Sequence, residues 1–298
     1  MQSYRGLSQR EFRAITQKGR GEIFLFSQYV YRPISTHITR LYAALGMGAD
    51  AATLHSLIAA LVASGVLLWP RPATFLVAAL GLQIYFLLDH VDGELARLDF
   101  WLGRRRPTAD GEYTDYWVHL HSINLTFGAL GVGLAIATGH VVWAAIGLIA
   151  DNCLGNFPKL ALGRTLWRVY NRDASVLDHP AFPSALAVAT DTAGVEIFGD
   201  QLSKRQRYFH AARELLFYPG CLIVLSLTLT IDAITSMGSG RFAAVLSSTY
   251  LVVFTLVGIA SKIRRTLIAR RQLHDLTSLP APPATDEATP QELLETPR

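Results

Sequence analysis

The stretch Asp89-His-Val-Asp92-Gly93-Glu-Leu-Ala96-Arg97 puts two carboxylates three residues apart at the end of an apolar run. On a helix Asp89, Asp92 and Ala96 fall at i, i+3 and i+7 and share one face, with Gly93 one turn on from Asp89. Two acids at the end of a hydrophobic helix are costly unless they are ligated or paired. The small side chains of Gly93 and Ala96 beside them let a bulky group approach the backbone. Further on, Gly111-Glu-Tyr-Thr-Asp115-Tyr-Trp-Val-His119 sets Asp115 and His119 at i and i+4, again on one face. If the two segments are helix ends joined by one loop, Asp89, Asp92, Asp115 and His119 converge on a shared metal. A ligand set rich in carboxylate oxygen suits Mg²⁺ or Mn²⁺, which also bind phosphate oxygens.

The elements that must position these residues are membrane spans. Of the 298 residues, 51% are hydrophobic and only 17% charged, below the charge content of ordinary soluble domains. The apolar residues collect in runs of roughly 20, the length a helix needs to cross a bilayer. Six spans are expected, Ala52–Trp69, Thr74–Leu95, Tyr116–Ala137, Val141–Leu162, Leu215–Ile231 and Phe242–Ala260. Prolines in 67–72 end one helix and open the next. Gly139-His140 separates the third and fourth spans, and 236–240 the fifth and sixth. Of 27 Lys and Arg, the connections after the first, third and fifth spans hold only Arg71 and Arg241. The positive-inside rule then puts both termini, and the acidic cluster, on the cytoplasmic side. The expected class is all-α and polytopic. Residues 1–48 form a juxtamembrane segment in which basic and aromatic residues interleave, as suits a helix lying at the lipid interface. Residues 49–270 form the membrane domain and 271–298 a disordered, proline-rich tail. The mildly apolar Ala181–Phe198 is interrupted by Asp191 and Glu196 and is a poor candidate for a seventh span. No cleavable signal peptide is expected at the basic N-terminus. Cys153 and Cys221 lie in apolar stretches and read as buried small side chains, not a disulfide.

The cluster resembles the signature of the CDP-alcohol phosphotransferase family, D-x2-D-G-x2-A-R-x8-G-x3-D-x3-D. Asp89, Asp92, Gly93, Ala96, Arg97, Gly111 and Asp115 match it in order and type. The resemblance covers roughly residues 30–265 and implies six spans with both termini inside. It implies transfer of a phospho-alcohol or phosphatidyl group from a CDP-alcohol donor to an alcohol acceptor, with release of CMP, in polar-lipid synthesis at a bacterial cell membrane. It further implies Mg²⁺ or Mn²⁺ on the acids, a nucleotide against Thr53, Asp92, Gly93, Ala96, Arg97 and Gly111, membrane lipid as partner and a homodimer, with no nucleic acid involved. The sequence departs from the signature in two ways. The interval from Arg97 to Gly111 is longer, with its Arg104–Arg106 run expected in the connecting loop. His119 stands where the family has its fourth Asp, the base on the acceptor hydroxyl. Imidazole has the basicity for that task and can also ligate a metal, but it supplies no negative charge.

Lys159, Arg164 and Arg168 at the inner end of the fourth span could hold a phosphate on the acceptor, or be plain flanking charges. His121 lies off the Asp115 face. Glu94 and Asp99 read as interfacial charges, with Glu94 pairing Arg97 or the arginine run. Two other classes compete: a non-catalytic membrane binding relative, kept alive by His119, and a transporter, for which the expected internal repeat is missing.

Overall fold

The computed structural model describes residues 4, 6–17, 26–104, 109–154, 166, 182–183, 220–239 and 243–278, and among these the regular structure is entirely helical. The chain divides into two compact units, Met1–Asn156 with Gly194–Ile263, and Phe157–Ala193 with Arg264–Arg298. The second is described at 166, 182–183 and in the last turns of the final helix. Everything below concerns the first.

The helices are α1 Gln9–Thr16, α2 Arg32–Ala44, α3 Ala49–Leu67, α4 Pro72–Trp101, α5 Ala109–Thr138, α6 Val142–Leu154, α7 Gly220–Ser239 and α8 Val245–Ser278. A π-helical turn, Ser27–Tyr31, leads into α2. Among the described residues five helices are long and apolar enough to cross a membrane: α3, α4, Trp117–Thr138 of α5, α7, and Val245–Arg271 of α8. An integral membrane protein is built this way. The fourth expected span is described only to Leu154 in α6, and 181–198 lies outside the described residues except at 182–183.

The turn between α3 and α4 falls at 68–71, with Pro72 as the first helical residue. Gly139, at φ +72°, ends α5. The expected break at 236–240 is corrected, because α7 runs on to Ser239. Ser236 explains this: its Oγ accepts from the Ala243 N–H at 2.9 Å and donates to the Ala243 carbonyl at 3.1 Å, so the connection begins later. The long interval after Arg97 is helical at both of its ends. α4 continues to Trp101 and α5 opens at Ala109, with Gly103 at φ +68° closing the first.

The bundle packs α3 on α4, α5 on α3 and α6, and α7 on α4. Its core includes Phe75, Leu82, Phe86, Phe127, Leu130, Leu222 and Leu225. The driving force here is close backbone approach, since apolar side chains gain little over lipid by pairing with each other. A Cβ on Gly131 would meet the Trp143 carbonyl at 2.6 Å, one on Gly147 the Phe127 carbonyl at 2.8 Å, and one on Gly133 would collide with the Leu67 carbonyl. Outward, Leu54, Ile58, Leu61, Val77, Leu80 and Ile84 are exposed, as lipid-facing positions are.

Where one N-terminal helix is expected, the described residues form two, α1 and α2. A capping box of Ser8 and Glu11 starts α1, with the Ser8 N–H on Glu11 at 2.8 Å and the Glu11 N–H on Ser8 Oγ at 3.3 Å. α2 is amphipathic in the inverse sense. Arg32, Ser35, Thr36, Thr39 and Tyr42 are buried, whereas Ile34, Leu41 and Leu45 are exposed.

Candidate functional site

α4 is 30 residues long, about 45 Å at 1.5 Å per residue, so it overruns a hydrocarbon core of ~30 Å. Its final turns carry the acidic segment. They lie at the end of the bundle where α3 and α5 begin, opposite the 68–71 turn and Gly139.

At that end Asp89 and His119 come together. His119 Nε2 lies 2.7 Å from Asp89 Oδ1, with the two side chains 21% and 15% exposed. The other ring nitrogen, Nδ1, is 2.8 Å from the hydroxyl of Tyr85, which is 1% exposed and stands one turn before Asp89 on α4. The imidazole is therefore held at both nitrogens. Asp92 faces α3, where Thr53 Oγ1 donates to its Oδ2 at 3.0 Å. Thr53 is thus brought to the acidic face. A small cluster of Tyr42, Ala52, Leu88, Val91 and Leu95 packs α2, α3 and α4 together beside it.

Gly111 and Asp115 lie on the first turns of α5, the helix that carries His119; the Asp115 side chain is outside the described residues. So are Lys159, Arg164 and Arg168. Among the described side chains no three His, Cys, Asp or Glu form a metal-holding group. His121 turns away: it is exposed, stacked on Trp117 with centroids 4.2 Å apart, and bonded to the Trp117 carbonyl at 2.8 Å.

Ala96 is exposed. Gly93 is covered by Arg97, whose Nη1 and Nη2 would lie 3.3 and 3.4 Å from a Cβ there. Arg97 Nε donates to the carbonyl of Thr16 at the end of α1. The space at Gly93 thus accommodates this arginine, and Arg97 ties two helices together.

Glu94 is buried and not the interfacial charge expected, while its expected attraction for Arg97 is kept. Glu94 is 1% exposed, on the far side of α4 from Asp92. Ser35 Oγ and Gln17 Nε2 donate to its Oε1 at 2.6 and 3.1 Å, and Thr39 Oγ1 to its Oε2 at 2.6 Å. Gln17 Nε2 also reaches the Arg32 carbonyl at 2.8 Å and Thr36 Oγ1 at 2.7 Å. Nearby Arg32 has its pKa lowered, by burial first and then by Arg97, with Glu94 opposing and Arg13 adding. Asp99 lies 3.8 Å from Arg104.

Sequence reasoning passed over Tyr85 and Asp232. Asp232, 2% exposed on α7, accepts from the N–H groups of Leu246 and Ser247 at 3.0 and 2.7 Å and so caps α8 from a neighbouring helix.

No protein-family model matches the chain, and a search of curated proteins finds no match. The class defined by fold and site is a helical integral membrane protein with a carboxylate–imidazole cluster at one end of its spans.

Proposed function

We propose that the protein is a membrane-embedded CDP-alcohol phosphotransferase. The observation that carries this reading is the contact between the first and last positions of the signature-like motif. Asp89 and His119, thirty positions apart in sequence, meet at 2.7 Å, with Asp92 one turn on and bonded to Thr53. The donor set fits a hard divalent ion: Asp89 and Asp92 from α4 and Asp115 from α5 would hold Mg²⁺ or Mn²⁺, with His119 beside them. When bound, such an ion supplies charge stabilisation for a diphosphate and for the departing CMP.

In the proposed reaction the acceptor hydroxyl oxygen attacks the β-phosphorus of the donor. The bond from that phosphorus to the bridging oxygen breaks, and CMP leaves with the electron pair. The hydroxyl proton goes to His119. Nε2, on the carboxylate side, takes it only in the tautomer whose hydrogen sits on Nδ1 and donates to the Tyr85 hydroxyl; with its hydrogen on Nε2 the neutral ring donates to Asp89 instead. Thr53 fixes Asp92, and Gly111 and exposed Ala96 leave room for the nucleotide. The site end of the bundle is proposed to face the cytoplasm, and the apolar outer face of α2 to lie in the interface.

A second reading, a binding relative without turnover, is favoured by one observation, the occupation of both His119 nitrogens. Purified protein in lipid, incubated with labelled CDP-alcohols, acceptors and Mn²⁺, separates them. CMP release lost in Asp89→Asn, Asp92→Asn and Asp115→Asn supports the enzyme. A silent wild type that gains turnover as His119→Asp identifies the binding relative. CDP-alcohol binding unchanged in all three Asn variants rejects the site.

A further inference from the structure

We propose that Glu94 is a positioning residue that locks α1 and α2 against the back of the acidic turn of α4, and thereby sets the place of Asp92. The inference rests on the functional reading above for the role of Asp92, and on its own contacts for the lock.

Glu94 follows Asp92 by two residues, about 200° around the helix, so the two carboxylates point to opposite sides of α4. A buried carboxylate costs several kcal/mol unless its oxygens are satisfied. Both oxygens of Glu94 are, and among the described residues their donors come from the N-terminal helices: Ser35 and Thr39, one turn apart on α2, and Gln17 at the end of α1. Arg97 forms a second hook through the Thr16 carbonyl. These hooks explain why α2 buries hydroxyls and exposes leucine and isoleucine: its polar face is the one that meets α4.

The lock reaches the site through packing. α2 passes into α3 through a short turn, Leu45–Gly48. Tyr42 of α2 packs with Ala52 of α3 and with Val91 and Leu95 of α4, and its hydroxyl is 2.8 Å from His55 Nδ1. Thr53, next to Ala52, donates to Asp92. Releasing α2 thus frees the start of α3 and the hydroxyl that fixes the Asp92 carboxylate. Glu94 touches neither substrate nor ion in this scheme.

The test uses the full chain in lipid nanodiscs and compares Glu94→Ala, Glu94→Gln and the double variant Ser35→Ala/Thr39→Val. Glu94→Gln keeps a carbonyl oxygen for Ser35 and Gln17, and its amide can donate to the Thr39 hydroxyl, which accepts as readily as it donates. Two quantities are read: hydrogen exchange of the α2 amides, and Mn²⁺ affinity from the free-ion paramagnetic resonance signal. Glu94→Ala and the double variant are expected to speed exchange in α2 and to weaken Mn²⁺ on the order of 10- to 100-fold, the scale of a small misplacement of a site group. Glu94→Gln is expected to stay near wild type in both. Faster exchange with unchanged Mn²⁺ affinity overturns the positioning role and leaves a structural tie. Glu94→Gln as impaired as Glu94→Ala overturns the hydrogen-bond lock in favour of a need for charge. A wild type that binds no Mn²⁺ rejects the functional reading itself, before any variant is compared, and the positioning role with it.

Discussion

Tyr85→Phe removes one oxygen and no packing volume. Tyr85 is 1% exposed, so no substrate reaches it, and its hydroxyl lies 2.8 Å from His119 Nδ1. A net hydrogen bond contributes about 1 kcal/mol, and a partner left unsatisfied in a buried place costs ~1–3. The His119 side chain is 21% exposed, so water can partly replace the lost group, and the lower part of that range applies. If His119 takes the acceptor proton, a cost of ~1–2 kcal/mol in the transition state lowers kcat by about 5- to 30-fold. KM for the CDP-alcohol should hardly move, because the nucleotide face is untouched. The assay is CMP release across donor concentrations, run for Tyr85→Phe, His119→Ala and the double variant. The two residues touch, so their effects should not add: in the His119→Ala background the loss of the hydroxyl should have little further effect. A Tyr85→Phe variant with wild-type kcat, or with the loss entirely in KM, refutes the assignment. So does an effect of equal size with and without His119.

Two further outcomes are expected. In intact cells, single cysteines at Arg71, His140 and Arg241 should react with impermeant reagents added outside and one at Arg105 should not; outside labelling at Arg105 reverses the orientation. Asp232→Ala should destabilise the protein by ~1–3 kcal/mol, because two helix-start N–H groups lose their acceptor, whereas Asp232→Asn keeps one oxygen and should cost less. Thermal unfolding in detergent checks this, and an unchanged midpoint for Asp232→Ala refutes the capping role.

What was legible in the sequence was whatever a single helix encodes in its own spacing. Asp89 and Asp92 share a face because they are three apart, and the prolines in 67–72 stop one helix and start another regardless of tertiary context. His119 followed from Asp115 by the same arithmetic. Contacts across elements were hidden. Glu94 reads as a surface charge, since its partners Ser35 and Thr39 lie more than fifty residues earlier, on a helix whose polar face points inward. Tyr85 is lost in an apolar run, because tyrosine in a span is ordinarily packing. The Ser236–Ser239 stretch has the composition of a loop, yet a serine bonded across the following connection lets the helix run on.

The imidazole at position 119 also changes how the site holds itself together. A carboxylate in its place would set a second negative group against Asp89, with Asp92 one turn away. Like charges this close are disfavoured unless a cation lies between them. Such a site has its geometry only when loaded. An imidazole with hydrogen on Nε2 donates to Asp89, and Tyr85 satisfies the other nitrogen. The Asp89 side is then held by the protein's own hydrogen bonds, and Thr53 does the same for Asp92. If the site takes the proposed ion, preorganisation of this kind would lower the cost of ordering the ligands, while histidine in place of a carboxylate would lower the charge that attracts the ion. The two effects oppose each other in affinity but not in geometry. In the proposed enzyme the histidine would give up electrostatic attraction for a divalent cation and keep the arrangement of the groups around it.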